Sequence, residues 1–380
     1  MRIVHVTSDW KWTGPAEPML RLALAQQKAG HAVALVCPEP PSALRSLAGE
    51  ARAAGIAPAI TLSRARGLRP LGDLGDVRRL RGLLVKEGAE IVHVWHSRDH
   101  LLALRATSGL RRRGGVAIVR SLRSADPPPR RPWSRWLFGP GTDGLVCVSP
   151  GSAERHAALR GGRPITGAFG AVDLDRFFPR APAPGTRESL GLEEGHRVVG
   201  IVARVQAHRR FDLLLEAAAR LFREDSAARL LVVGRGTRRR ELAEIPAERL
   251  GISERVVFAG YRVADYAEVL RAIDVFTFLV PGSDGTCRAL LEAAACGIAA
   301  VTTRRGALAE IVRGGETGFV VDETPESLAT AWSRLLMDPT LRERFGVAAA
   351  CDARERFSPP RLAEKVESLY REALARAHDS

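Results

Sequence analysis

Short apolar runs recur along the chain, each followed by a longer stretch whose apolar positions repeat with the helical period. In the first half the short runs predict strands at Ile3–Thr7, Ala32–Cys37, Ile91–Val94, Val116–Ser121 and Leu145–Val148. The longer stretches predict helices at Pro18–Ala29, Leu71–Lys86 and Ser152–Leu159, and Gly30 is a helix stop ahead of the second strand. Strands alternating with helices in this way point to parallel sheets. The pattern breaks between Asp173 and Gly195, where Pro179, Pro182, Pro184 and Gly185 predict a linker. A second alternation follows, with strands at Val198–Ala203, Leu230–Val233, Val256–Ala259, Val275–Leu279, Ala299–Thr302 and Phe319–Val321. Its predicted helices are Phe211–Phe222, Arg238–Leu250, Val269–Ala272 and Ala289–Ala295. The expected fold class is therefore α/β, with two Rossmann-like halves around one linker. Open parallel sheets bind ligands outside the carboxyl ends of their strands, so the expected site is a cleft between the two halves.

Composition refines this picture only in places. A chain of 380 residues suits two domains, and 46% apolar with 26% charged residues is a globular balance. The net charge of +14 favours anionic partners: nucleic acid, an anionic membrane surface or phosphorylated small molecules. Charge does not choose among these, and an arginine-rich codon usage would give the same excess. The five cysteines are scattered and never spaced Cys-x-x-Cys, which argues against a disulfide framework or a structural zinc site. Met1–Thr7 reads as a buried strand rather than a signal peptide, and no apolar run is long enough to span a membrane. The expected location is the cytoplasm, with room for contact at the inner face of the cytoplasmic membrane.

The most informative stretch runs from Pro281 to Gly297. An apolar strand ends near Val280, a loop with Asp284, Gly285, Thr286 and Cys287 follows, and an apolar helix opens near Arg288. The free N–H groups and positive end of such a helix favour a phosphate. Asp284 on the loop and Glu292 in the helix could accept hydrogen bonds from sugar and ribose hydroxyls.

Here the chain resembles glycosyltransferase family 4, retaining enzymes of the GT-B fold. The family carries Glu-x7-Glu in a context ending Leu-Glu-Ala-x-Ala-x-Gly. Gly285, Leu291, Glu292, Ala293, Ala295 and Gly297 match it, and Asp284 stands where the first Glu is usual. Ala203-Arg204 followed by Arg209 resembles the family's Gly-Arg…Lys-Gly element, with Arg209 in the lysine's place and Arg210 in the glycine's. Val172-Asp173…Phe177, Gly306…Glu310-Ile-Val and Gly314…Phe319 resemble further family signatures. The resemblance implies that Asp284 contacts the donor sugar, that Glu292 contacts the ribose, and that Arg204 and Arg209 clamp the diphosphate. Guanidinium groups suit that task because they bind phosphate oxygens bidentately. It also implies an acceptor-binding domain over 1–172 joined by a final helix at about 360–377, a linker over 173–195, and a nucleotide-sugar domain over 196–359. Gly234 would border the diphosphate, and Tyr261 with Arg262 the nucleobase.

The first half departs from the family. Gly14 matches its first loop, but Pro15 replaces the second glycine and removes an N–H donor. Arg123 stands where a histidine is usual near the reacting centre. An arginine cannot act as a base, though it can stabilise a leaving phosphate or an anionic acceptor. Front-face substitution, which the family implies, tolerates this because the leaving phosphate can take the acceptor's proton. His93 matches a family histidine, and His93 and His96 are expected on the acceptor side. A metal site of His93, His96 and His100 is disfavoured, as is one at Asp173-Leu-Asp175 in the linker. Arg111–Arg113, Arg120, Arg123, Arg130, Arg131 and Arg135 surround Trp133, Trp136 and Phe138, a mixture suited to an anionic membrane.

The expectation is thus transfer of a sugar from a nucleotide diphosphate to a glycan or lipid-linked acceptor hydroxyl with retained configuration. Such an enzyme would serve cell-surface polysaccharide, lipopolysaccharide or glycolipid synthesis. No cofactor, no metal and no nucleic-acid partner is expected, and Arg130–Phe138 would touch the membrane. A non-catalytic nucleotide-sugar-binding partner and a GT-B sugar-nucleotide epimerase remain open alternatives.

Overall fold

The structure is a computed structural model that describes residues 1–12, 16–42, 44–64, 72–111, 115–128, 131–282 and 285–378. The chain folds as two compact units, Met1–Ala171 with Ser283–Gly285 and Pro359–Ser380, and Val172–Gly282 with Thr286–Ser358.

The first unit is built on strands β1 (Arg2–Val6), β2 (Ala32–Cys37), β3 (Pro58–Thr61), β4 (Ile91–Val94), β5 (Ala117–Ser121), β6 (Gly144–Cys147) and β7 (Ile165–Gly167). They form one sheet in the order β3-β2-β1-β4-β5-β6-β7, every neighbouring pair parallel. A parallel sheet needs helices on both faces, so its central strands read as unbroken apolar runs. Helices α1 (Ala16–Lys28) and α2 (Leu47–Ala53) cover one face, and α3 (Asp73–Lys86) with α4 (Ser97–Ala106) the other. Two shorter helices follow, α5 (Pro132–Phe138) and α6 (Pro150–Ala157). Ser149 starts α6 by accepting the Ser152 N–H at 3.2 Å, the usual way a serine side chain satisfies a free helix-end donor.

The second unit carries β8 (Arg197–Val202), β9 (Ala228–Val233), β10 (Val256–Gly260), β11 (Val275–Phe278), β12 (Ala300–Thr302) and β13 (Gly318–Val320), in the order β10-β9-β8-β11-β12-β13 and again all parallel. Its helices are α7 (Phe211–Glu224), α8 (Ile245–Arg249), α9 (Tyr266–Arg271), α10 (Arg288–Ala295), α11 (Leu308–Ile311), α12 (Pro325–Met337) and α13 (Pro339–Arg356). The last helix of the chain, α14 (Pro359–His378), belongs to the first unit and seats Leu362, Val366, Leu369 and Tyr370 in the same core as α1. Each such burial contributes about 1.5–3 kcal/mol.

The structure adds elements that the apolar pattern did not announce: β3, β7, α2, α5, α11, α12 and α13. β3 and β7 are edge strands of four and three residues, too short to show a period. The helix expected over Arg238–Leu250 is divided, with a π turn at Arg240–Glu244 before α8. Pro246 has no N–H to give to an i−4 carbonyl, so the backbone widens just ahead of it.

A hydrogen-bonded chain crosses the core of the first unit. Trp95 Nε1 donates to His5 Nδ1 at 3.3 Å, and His5 Nε2 meets Gln26 Oε1 at 2.8 Å. Gln26 Nε2 donates to the Tyr370 hydroxyl at 3.2 Å, and that hydroxyl meets His93 Nδ1 at 2.6 Å. His93 Nε2 closes the chain on Ser121 Oγ at 2.8 Å. One direction of donation satisfies every link, with each imidazole neutral and protonated on Nε2. Burial holds His5 down to about 4 and His93 well below its ordinary value. It also holds His100 down to about 3, helped by the positive charge of Arg120.

Two outcomes follow for the fold. These rings stay neutral in the folded chain while the unfolded chain protonates them, so their contribution is complete above pH 6.5 and is lost as pH falls toward 4. Urea titrations across that window should show stability falling by about 1.4 kcal/mol per pH unit for each buried ring, and His5→Gln should flatten the slope. Separately, a Cβ at Gly234, where φ is +142°, would lie 2.1 Å from the Ala203 carbonyl oxygen. Gly234→Ala should therefore cost about 2–4 kcal/mol by denaturant midpoint. Gly251→Ala, at φ +68° but facing open space, should cost only about 1 kcal/mol.

Candidate functional site

In the second unit the loops that follow β8, β9, β10 and β11 lie on one edge of the sheet, because all four strands run parallel. Most of the residues singled out from the sequence come together there. Arg204 is exposed just beyond β8, and Gly234 follows β9 with its N–H donated to Gly260 at 2.8 Å. Tyr261 is exposed after β10, with the Arg235 guanidinium 4.7 Å from its ring centre. Arg262 donates to the Ala259 carbonyl and to Asp265, both at 2.8 Å, so its guanidinium is tied to its own turn.

Arg209 is half-buried and donates from Nη1 to the Val280 carbonyl at 2.8 Å, which fastens it to the loop leaving β11. The next residue, Arg210, has φ +57°. This left-handed backbone is the conformation that glycine adopts without penalty, at the position where the family motif has glycine. Arg210 is held there by ion pairs to Glu323 at 2.9 Å and Asp212 at 3.3 Å.

The loop after β11 ends on Gly285 and Cys287, at φ +66° and +53°. Two left-handed residues so close together turn the chain sharply into α10, whose first residue is Arg288. Thr286 between them is half-buried. Glu292, one turn into α10, is 4% exposed. A buried carboxylate needs donors, and Glu292 has them: the Tyr266 hydroxyl donates to Oε2 at 2.7 Å, and Arg288 Nε lies 3.5 Å from Oε1. Burial, then the neighbouring Glu292 charge, keeps the Tyr266 phenol well above its ordinary pKa, so it remains a donor. Phe177 packs edge-on against the Tyr266 ring, with centroids 5.8 Å apart. Tyr266 escaped the sequence reading because it stands 26 residues before its partner on another helix, with no motif to mark it. The arrangement is chemically specific: a fixed carboxylate acceptor beside the Arg288 guanidinium, suited to hydroxyl groups.

In the first unit Arg123 is half-buried just beyond β5. His96 precedes α4, its N–H donating to Asp99 Oδ2 at 2.7 Å and its Nδ1 3.1 Å from Thr7 Oγ1. His93 corrects the expectation of an acceptor-side residue: it is 0% exposed, and both ring nitrogens are committed to Tyr370 and Ser121. A histidine on a central parallel strand points into the covered face of the sheet, not toward solvent. His100 turns to the Gly141 carbonyl at 3.0 Å, so the three histidines do not converge. Asp173 is a turn former, its Oδ1 accepting the N–H groups of Asp175 and Arg176 at 3.2 Å. Among the described residues no group of three His, Cys, Asp or Glu side chains is placed to hold a metal ion. Asp284, Gly14 and Arg130 lie outside the described residues.

Comparison with known proteins covers both halves of the chain. Residues 14–176 match the family model described as Glycosyltransferase Family 4, and residues 196–338 the model described as Glycosyl transferases group 1. The chain is similar to a D-inositol 3-phosphate glycosyltransferase of Corynebacterium jeikeium, 35% identical over 219 residues, which are 54% of this chain and 51% of the relative. It thus spans about half the length of the curated relatives it matches. A glycosyltransferase from Rickettsia africae has the same fold, with a TM-score of 0.83 at 17% identity over 98% of both chains. Anabaena Alr3699/HepE, solved in complex with UDP and glucose, gives 0.76 at 18% identity over 97% of this chain and 98% of that one. With both halves matched by glycosyltransferase models and the whole length matched in fold, the chain belongs to glycosyltransferase family 4, with the two Rossmann-like domains of the GT-B fold.

Proposed function

We propose that the protein transfers a sugar from a nucleoside diphosphate to an acceptor hydroxyl with retention at the anomeric carbon. The observation that carries the reading is the buried Glu292 carboxylate, fixed by Tyr266 beside a loop to which Arg209 is fastened. In this reading Glu292 accepts from the ribose hydroxyls, Asp284 from the sugar, and Arg204 and Arg209 face the diphosphate. Gly285, Thr286, Cys287 and Arg288 present the start of α10 to the phosphates, and Gly234, Tyr261 and Arg262 border the nucleotide. The sugar–oxygen bond breaks with its electron pair passing to the diphosphate. The acceptor oxygen then bonds on the same face, and its proton goes to the departing phosphate. The arginines neutralise the charge that builds on that phosphate, the role that a divalent cation fills elsewhere. Complexes of Anabaena Alr3699/HepE with UDP and with UDP-glucose support a nucleotide-sugar donor.

For the acceptor we propose a glycan or lipid-linked molecule of the kind used in cell-surface polysaccharide, lipopolysaccharide or glycolipid synthesis. The name of the Corynebacterium jeikeium relative adds a phosphorylated polyol to the acceptors worth assaying. Contact with an anionic membrane through Arg130–Phe138 is part of the same proposal. On α5 Trp133 and Trp136 are 56% and 45% exposed and stacked on one another, Arg131 and Arg135 beside them in the chain are exposed, and Leu137 and Phe138 are buried anchors. Among the described residues no helix is long and apolar enough to cross a membrane.

Two measurements test these readings. In a thermal-shift panel of UDP, GDP, ADP, CMP and TDP, one diphosphate should stabilise the chain equally with and without EDTA. Glu292→Ala should abolish that shift, and Tyr266→Phe should weaken it about 5- to 30-fold in affinity by freeing the carboxylate. No shift with any nucleotide would move a non-catalytic partner role to the front. Flotation with vesicles should recover the chain on phosphatidylglycerol but not on phosphatidylcholine, and the double variant Trp133→Ser, Trp136→Ser should lose most of that binding. Equal recovery on both lipids would remove the membrane contact.

A further inference from the structure

Arg209 reaches its place through a hinge. It ends a single 3-10 turn, Ala207–Arg209, and the next residue, Arg210, caps the start of α7. α7 is anchored, with Phe211, Leu214 and Leu215 buried in the core of the second unit. The direction of the turn that carries Arg209 therefore depends on the backbone at Arg210, where φ is +57°. Among the described residues only Arg210 and Cys287 combine a side chain with positive φ. Cys287 is fixed by burial, at 1% exposure. Arg210 is only half-buried, and its Cβ disfavours left-handed backbone, so something else must hold it.

An ion-pair clamp does so. Glu323, on the loop beyond β13, accepts from Arg210 Nη1 through Oε2 at 2.9 Å. Arg305, on the loop beyond β12, holds the same carboxylate as a fork, Nε on Oε1 and Nη2 on Oε2 at 2.6 Å. A forked guanidinium gives an ion pair direction as well as attraction. The Arg305 hydrogen bonds, with the charges of Arg305 and Arg210 beside them, hold the Glu323 carboxyl below its ordinary pKa. Asp212 also meets Arg210, at 3.3 Å, but it is exposed and belongs to the first turn of α7, so it ties the hinge to no other loop. Glu323 stands 113 residues away. Arg209 in turn is fastened to the Val280 carbonyl beyond β11. β8, β11, β12 and β13 are consecutive strands of one sheet, so Arg305, Glu323, Arg210 and Arg209 lace together the loops beyond all four. An exposed ion pair contributes little to stability by itself; this one sets a conformation.

We propose that Glu323 is a positioning residue for donor binding. Locked by Arg305, it clamps Arg210 in left-handed backbone and thereby aims Arg209 at the diphosphate. An ion pair here does what a glycine would do by conformational freedom alone. The inference rests on the transferase reading, in which Arg209 faces the diphosphate, and goes further by naming what sets that arginine. Charge alone predicts the opposite effect, since removing an acid from the neighbourhood of an anion should strengthen binding.

Calorimetry on the full chain with UDP, GDP, ADP and TDP, each against its own nucleoside, decides between the two. Glu323→Ala should weaken binding of the diphosphate that the unmodified chain takes by about 5- to 30-fold, the population cost of a left-handed residue released from its clamp. Binding of the matching nucleoside, which does not call on Arg209, should not change. In an Arg210→Gly background the same substitution should cost less than about 2-fold, because glycine adopts that backbone unaided. Glu323→Ala binding the diphosphate as tightly as the unmodified chain, or more tightly, would overturn the proposal. So would an equal loss in both backgrounds, or an equal loss of diphosphate and nucleoside. Arg209→Ala keeps the two readings apart: if it weakens diphosphate binding while Glu323→Ala does not, the clamp fails and the transferase reading stands. An unmodified chain that binds none of the four diphosphates overturns both.

Discussion

The chain of hydrogen bonds from Trp95 through His5, Gln26, Tyr370 and His93 to Ser121 joins three strands to the first and last helices of the chain. Its members are fully or nearly fully buried, so each polar group depends on its neighbours for partners. Removing one link would leave at least two buried groups unsatisfied, which costs far more than a surface hydrogen bond contributes. The chain therefore specifies one seating of α14 against α1 and the sheet. Apolar packing alone would tolerate small shifts of that helix. The position of β5, and of the two arginines at its end, rests on the same core.

The second unit solves a different problem. The groups of its candidate site are carried largely on loops, and loops hold geometry poorly unless the backbone is constrained. The constraint here is conformational. Arg210 and Cys287 occupy left-handed backbone, and Gly234 lies so near the Ala203 carbonyl that no side chain fits. Non-glycine residues held this way cost about 1–3 kcal/mol each and persist only where the surroundings fix them. For Arg210 those surroundings include the ion pairs to Asp212 and Glu323, and for Cys287 a fully buried side chain. Tyr266 then sets the orientation of the Glu292 carboxylate.

The basic excess of the chain divides into unlike parts once it is placed in the fold. Arg98, Arg160 and Arg271 cross-link the interior, Arg204 and Arg209 stand at loops of the second sheet, and Arg131 with Arg135 flank two exposed tryptophans. Arg120 stood in the sequence among arginines of an apparent basic face, but the parallel register of β5 turns it inward. Net charge carries no information of this kind, because it is blind to burial and to pairing.

Periodicity and punctuation in the sequence determined the α/β class, the parallel sheets and most of the long strands, because those features are local and each strand is buried on both faces. The family resemblance singled out Glu292, Arg204 and Arg209 as candidates by their spacing, and the fold places all three in the second unit. Short edge strands such as β7 left no readable period, and the π turn before Pro246 could be placed only with the helix in view. His93 looked like a ligand-facing residue, and the fold made it a core hydrogen-bonding group. Tyr266 and Tyr370 acquire their roles from partners 26 and 277 residues away. Pairing and burial are properties of three-dimensional neighbourhoods, so only the tertiary structure could decide them.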